Sequence, residues 1–183
     1  IKPTQIADVV KIVKMYRKLC DSLKVSKATA YATPAFREAK NHYGFLEELE
    51  IASGFKIRLM QEQDEVVSIY NGVINTLDVP KGVIVYIEDE YTQIIHYSRK
   101  TIINNVTIQF GAASLAELFL ESAGTPEKQM EEMTAFFKKH VINETPWMCD
   151  VNLEEFKFVG VGDVFDSIGK ISRKGRKYPL DMA

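Results

Sequence analysis

Glu88, Asp89 and Glu90 stand side by side between two runs of strand-forming residues, Gly82 to Ile87 and Thr92 to Tyr97. A hairpin turn at such a place can cradle a phosphate when it is built of glycines, because their backbone N–H groups approach an anion closely. Here the turn is three carboxylates followed by Tyr91. Each like charge within reach of a phosphate opposes it by about 1 kcal/mol in water, and by several-fold more in a partly dry cleft. The turn is therefore expected to be solvent-exposed and to hold no phosphate. Clustered carboxylates attract hard cations, but consecutive residues on a tight turn seldom converge on one ion, so no metal site is expected here.

Other chemistry-bearing residues are scattered. His42, His96 and His140 have no ligand spacing and read as structural. Cys20 and Cys149 fit no metal pattern, and isolated thiols suit a reducing compartment, which places the chain in the cytoplasm by default. The basic run Lys170, Arg173, Lys174, Arg176 and Lys177 could take polyphosphate or nucleic acid, yet such runs more often complement a helix C-terminus and stay solvated. Met130, Met133, Phe136, Phe137 and Val141 form a core stripe at helical spacing, and Trp147 beside Pro146 reads as a packed loop anchor.

The 183 residues are 46% hydrophobic and 26% charged with a formal net charge of −2, the make-up of an ordinary soluble globular protein. Near-neutral charge gives no electrostatic case for nucleic acid or anionic membrane. No apolar run approaches the ~20 residues of a membrane span. The chain starts at Ile1 rather than methionine, and further residues are expected upstream.

The elements that position these residues change character halfway. Thr4 opens an amphipathic helix with apolar residues from Ile6 to Leu23. A strand over Lys27–Ala32 follows, and Thr33-Pro34 reads as the start of a helix through Ala39. A further helix over His42–Ala52, a strand over Phe55–Met60 and a helix over Asp64–Leu77 complete an α-β-α-β-α order, which implies parallel strands. After Val79-Pro80-Lys81-Gly82 come three strands with short links, an antiparallel meander over Gly82–Ile87, Tyr91–Tyr97 and Ile102–Phe110. Helices over Ala113–Glu121 and from Thr125-Pro126, a strand over Phe156–Val161 and a helix capped by Asp163 finish a β-β-β-α-α-β-α half. The expected domains are 1–78 and 79–183. The two parallel strands of the first half need further edge partners, from upstream residues or another subunit.

That order resembles the actin/hexokinase-like ribonuclease H fold, a partial first module followed by a fuller second one. The segment Ala32-Thr33-Pro34-Ala35-Phe36-Arg37-Glu38-Ala39-Lys40-Asn41 resembles the A-T-S-A-x-R-E-A-x-N segment of the exopolyphosphatase/guanosine pentaphosphate phosphatase family. Lys56 to Val73 resembles that family's strand followed by E-E-A-x-x-x-Y-x-G-V, with Asp64-Glu65, Tyr70, Gly72 and Val73 in place. Val83 to Ile95 falls where the family has D-I-G-G-G-S-T-E-L-V, and Phe158 to Gly162 where it has a G-x-G-G-T turn.

The resemblance implies roles residue by residue. Glu65 sits where the family places the glutamate that activates the attacking water. Its alternative role is to complement the positive end of its own helix. Arg37 matches an arginine near the cleft that can pair a phosphate oxygen, and Thr92 and Gly162 are what remain of the two phosphate-binding turns. The departures bear on mechanism. Tyr86 replaces the loop aspartate, Glu88, Asp89 and Glu90 replace its glycines, Tyr91 its serine and Gln93 its glutamate. The Gly162-Asp163-Val164 turn lacks the second glycine and the threonine. These changes imply a divergent, catalytically impaired member that binds or regulates, with polyphosphate or guanosine pentaphosphate as ligand. The alternatives are an active magnesium-dependent phosphohydrolase releasing terminal phosphate, and a purely structural or homo-oligomerisation module.

Overall fold

The computed structural model of the chain describes residues 3–33, 39–120, 124–152 and 155–176. Arg37 and the helix expected to start at Thr33-Pro34 lie outside them. The fold is α/β with a mixed sheet, and it divides into two compact units, Ile1–Val67 and Ser68–Ala183. The division falls inside a helix, because the apolar-periodic segment after the second strand runs on without a break.

In the first unit, helix α1 (Pro3–Ser22) packs on helix α2 (His42–Ser53). Strands β1 (Thr29–Ala32) and β2 (Lys56–Leu59) pair in parallel, Thr29 opposite Lys56 and Ala32 opposite Leu59, as the alternating element order requires. Phe45 and Leu49 bury the inner face of α2, and Glu50 Oε1 accepts the Ile57 N–H at 2.7 Å, tying the helix to β2. The α1 stripe has the anticipated period, but its later members Tyr16, Leu19 and Leu23 are exposed. Helix α3 (Glu62–Thr76) begins in this unit with three acids, Glu62, Asp64 and Glu65, in its first turn, which suits the positive helix end.

The second unit is built on a four-stranded sheet. Strands β3 (Lys81–Ile87), β4 (Thr92–Ser98) and β5 (Thr101–Ile108) form the antiparallel meander, and β6 (Lys157–Val161) pairs parallel to β3, giving the order β5-β4-β3-β6. On one face Ile84, Ile95 and Tyr97 are fully buried, and the ring of Tyr70 from α3 meets that of Tyr97 edge-on at 5.5 Å. The other face holds Val83, Ile94 and Ile108, with Phe110, Val141, Trp147 and Met148 packed on them. Helix α4 (Ala112–Phe119) follows the meander, and α5 (Pro126–Glu144) starts as its sequence dictates, with Pro126 in the first turn and the Thr125 side chain accepting the Lys128 N–H. Helix α6 (Asp163–Arg176) closes the described chain.

One reading of a side chain changes here. Met130 is 52% exposed and does not belong to the α5 core stripe; its neighbour Gln129 is buried instead, with Nε2 donating to the Leu120 carbonyl at 3.4 Å. A glutamine can go inside because a nearby backbone oxygen meets its amide. Trp147 is packed as anticipated, within a short 3-10 helix of the connection, Pro146–Asp150, and stacks on His96 with ring centroids 5.3 Å apart and planes 8° from parallel.

Candidate functional site

The β3–β4 turn is closed by the Glu88 N–H donating to the Tyr91 carbonyl at 3.0 Å. Tyr86, the last but one residue of β3, donates its hydroxyl to Glu88 Oε1, and its ring meets that of Tyr91 edge-on. Glu88 is consequently half-buried, whereas Asp89 and Glu90 are exposed. The expectation of a wholly solvated turn is thus corrected at Glu88, where a tyrosine two residues upstream supplies a partner for the carboxylate.

Backbone oxygens of this turn meet the start of α4. The Ala112 N–H donates to the Glu88 carbonyl at 2.8 Å, and the Ala113 and Ser114 N–H groups donate to the Asp89 carbonyl at 2.9 and 3.1 Å. Helix N-termini carry orphan N–H donors and a partial positive charge, and those donors are what an anion uses. In this chain peptide oxygens use them. Gly111 makes the approach possible, since a Cβ there would stand 2.2 Å from the Glu88 oxygen. The Gly111 N–H is in turn satisfied by Ser114 Oγ at 2.8 Å. This contact was not foreseen from the sequence. Its signal is Gly111 ahead of the helix, with a serine three residues on.

The other candidate residues are distributed around this end of the fold and in the first unit. Thr92, opposite Ile87 in the ladder, is buried and its hydroxyl donates to the Phe110 carbonyl at 2.9 Å. Gly162 follows β6 with φ of +99°, a conformation L side chains rarely adopt, and lies 3.2 Å from the Ile87 carbonyl and 3.3 Å from the Tyr86 ring, measured from an added Cβ. Tyr86 of β3 therefore packs on the Gly162 turn. Glu65 is in the first turn of α3 and is 93% buried, being 7% exposed.

The bland readings of the remaining residues have concrete partners. The His42 Nδ1 lies 2.7 Å from the Ala39 carbonyl, and His140 packs on Phe110 and Phe136. His96 lies between Trp147 and Phe156, and burial pushes its imidazole below its ordinary pKa. Lys170 pairs with Asp166 at 2.5 Å on the exposed side of α6. Cys20 and Cys149 are both free thiols. Among the described residues no three His, Cys, Asp or Glu side chains gather where they could hold a metal ion, and no helix is long and apolar enough to cross a membrane. Of the three acids at the turn, Glu88 is already engaged by the Tyr86 hydroxyl.

Residues 1–171 match the model of the Ppx/GppA phosphatase family. The chain belongs to that family. Among curated proteins none matches the sequence. Solved structures agree in fold. An exopolyphosphatase from Cytophaga hutchinsonii ATCC 33406 superposes with a TM-score of 0.82 at 16% identity, covering 100% of this chain and 58% of that one. The Aquifex aeolicus Ppx/GppA family member gives 0.74 at 21% identity, over 98% of this chain and 56% of its own. A type II variant of the Aquifex aeolicus Ppx/GppA phosphatase gives 0.72 at 20% identity, with 97% and 57% covered. This Ppx/GppA chain thus spans less than two thirds of the length of those proteins and shares their actin/ATPase-like fold.

Proposed function

We propose that this chain is a catalytically impaired Ppx/GppA member, which binds terminal phosphates of polyphosphate or guanosine pentaphosphate without turning them over, and so acts by binding or regulation. The observation that carries this reading is the engagement of the α4 N-terminal amides by the Glu88 and Asp89 carbonyls. Phosphoryl transfer depends almost wholly on positioning and on stabilising charge at the transferred group. At the turn where the family carries D-I-G-G-G-S-T-E-L-V, this chain has three carboxylates, two of them exposed, and its peptide oxygens take the α4 amide donors. Losing one such donor costs about 10²–10³ in rate.

In this reading Arg37, Thr92 and Gly162 are the phosphate contacts and Glu65 the acid that would orient a water. The Thr92 hydroxyl donates to the Phe110 carbonyl, so a phosphate bound here has to draw that proton away from it. Glu65 supports a second reading, an active phosphohydrolase, because a buried carboxylate at a helix start is the group that chemistry requires. Magnesium-dependent phosphate release from polyphosphate and guanosine pentaphosphate, compared with Glu65→Gln, separates the two. The impaired reading expects equal, background rates. Turnover abolished by Glu65→Gln would establish the enzyme.

A further inference from the structure

The β4–β5 hairpin turns through Ser98-Arg99-Lys100-Thr101, with Ser98 opposite Thr101. Both central residues have positive φ, 51° at Arg99 and 65° at Lys100. Two-residue hairpin loops of this kind are the natural place for Asn-Gly, because β-carbons crowd the backbone in the left-handed region. This turn carries the two longest cationic side chains instead. Both are exposed, and among the described residues neither makes an ion pair. Strain retained in a tight turn points to what its side chains do.

The tip is also fastened beside a cavity of about 310 Å³. The Arg99 N–H donates to the Pro80 carbonyl at 2.9 Å, and the buried Tyr97 donates its hydroxyl to the Val79 carbonyl at 3.1 Å. Ile74, Leu77 and Pro80 give the cavity an apolar floor, and Arg99, Lys100 and the carboxylate-bearing Asp78 also line it. An apolar floor beside two cationic residues suits a small ligand with an anionic group at one end. The hairpin tip is at the opposite end of β4 from the Glu88–Glu90 turn, about 23 Å away at ~3.3 Å per residue over the strand. It is therefore separate from the site described above and does not depend on the function proposed for it.

We propose that the β4–β5 hairpin tip is an oxyanion site, at which Arg99 and Lys100 take a phosphate group and the adjoining cavity takes the rest of the ligand. The phosphate can belong to a condensed phosphate or to an organic phosphate monoester. Titration calorimetry with tripolyphosphate and with guanosine 5′-monophosphate distinguishes the two, since only the second has a body for the apolar floor.

The informative variant is Arg99→Asn combined with Lys100→Gly, which installs the favoured turn and removes both charges. It is expected to raise Tm and to weaken binding of the preferred probe about tenfold or more. Lys100→Glu, which keeps a β-carbon at the turn, is expected to weaken binding as well. The titrations are run in an Arg37→Ala background, which weakens the phosphate contacts proposed for the other site and leaves the hairpin tip intact. Binding of neither probe at millimolar concentration would overturn the proposal. So would undiminished binding in the Asn-Gly variant or in Lys100→Glu in that background, or a Tm in the Asn-Gly variant no higher than that of the parent.

Discussion

Gly111 lies against the Glu88 carbonyl so closely that a Cβ at position 111 would stand 2.2 Å from the oxygen. Two segments more than twenty residues apart in the chain meet there, and the contact brings the β3–β4 turn onto the first-turn amides of α4.

Gly111→Ala is expected to destabilise the protein by about 2–3 kcal/mol, because backbone atoms on both sides must give way and the helix loses acceptors for its N–H groups. Urea denaturation measures this directly. A loss below about 0.5 kcal/mol would mean that the turn and helix separate at little cost.

Replacing Glu88, Asp89 and Glu90 together by glycine tests the electrostatic half of the argument. Three charges opposing an anion by about 1 kcal/mol each in water correspond to roughly a hundredfold in affinity. Tripolyphosphate affinity measured on an Arg99→Asn/Lys100→Gly background, which silences the hairpin tip, is expected to rise by about that factor. No gain would show that the α4 amides remain engaged when the carboxylates are gone.

Thr92→Val keeps the shape of a buried side chain and removes the hydroxyl that donates to the Phe110 carbonyl at 2.9 Å. The expected cost is about 1–2 kcal/mol, the net worth of one hydrogen bond whose acceptor is then left without it. Thermal or urea melts check it, and the neighbouring Gln93 and Ile94 amides should lose hydrogen-exchange protection with it.

Stability is expected to depend on pH through His96. Burial lowers its folded-state pKa below the ordinary value of 6.5. Between those two values the unfolded chain binds a proton that the folded chain refuses, so stability falls as pH drops from about 6.5 toward the lower folded value. Above that window this residue contributes no slope. His96→Phe retains a ring against Trp147, and its denaturation midpoint should lose this part of the pH dependence. An unchanged slope in His96→Phe would assign it elsewhere.

Local signals carried most of the secondary structure. Thr125-Pro126 announced the start of α5, the alternating order before Val79 required the parallel β1–β2 pair, and the short links after Gly82 required the antiparallel meander. Each depends on a few adjacent residues, through a fixed φ, a capping oxygen or a loop length too short for a crossover. The charge of the Glu88–Glu90 turn was equally legible, and so was the family, through Arg37-Glu38-Ala39 and Asp64-Glu65.

Tertiary structure decided the rest, because the deciding partner lay far along the chain. The α5 stripe placed Met130 inside by period alone, but Gln129 is the buried neighbour, met by the Leu120 carbonyl. Trp147 gave no sign of His96, fifty-one residues earlier, on which it stacks. The positive φ values of Arg99 and Lys100 belong to the folded backbone, one that asparagine and glycine would enter more easily. Sequence alone leads to the expectation that the turn after β3 repels phosphate. Only the packed fold shows that the nearest helix has already given its amide donors to that turn's own carbonyls, since hydrogen bonds between distant segments are set by how the elements meet and leave no local pattern.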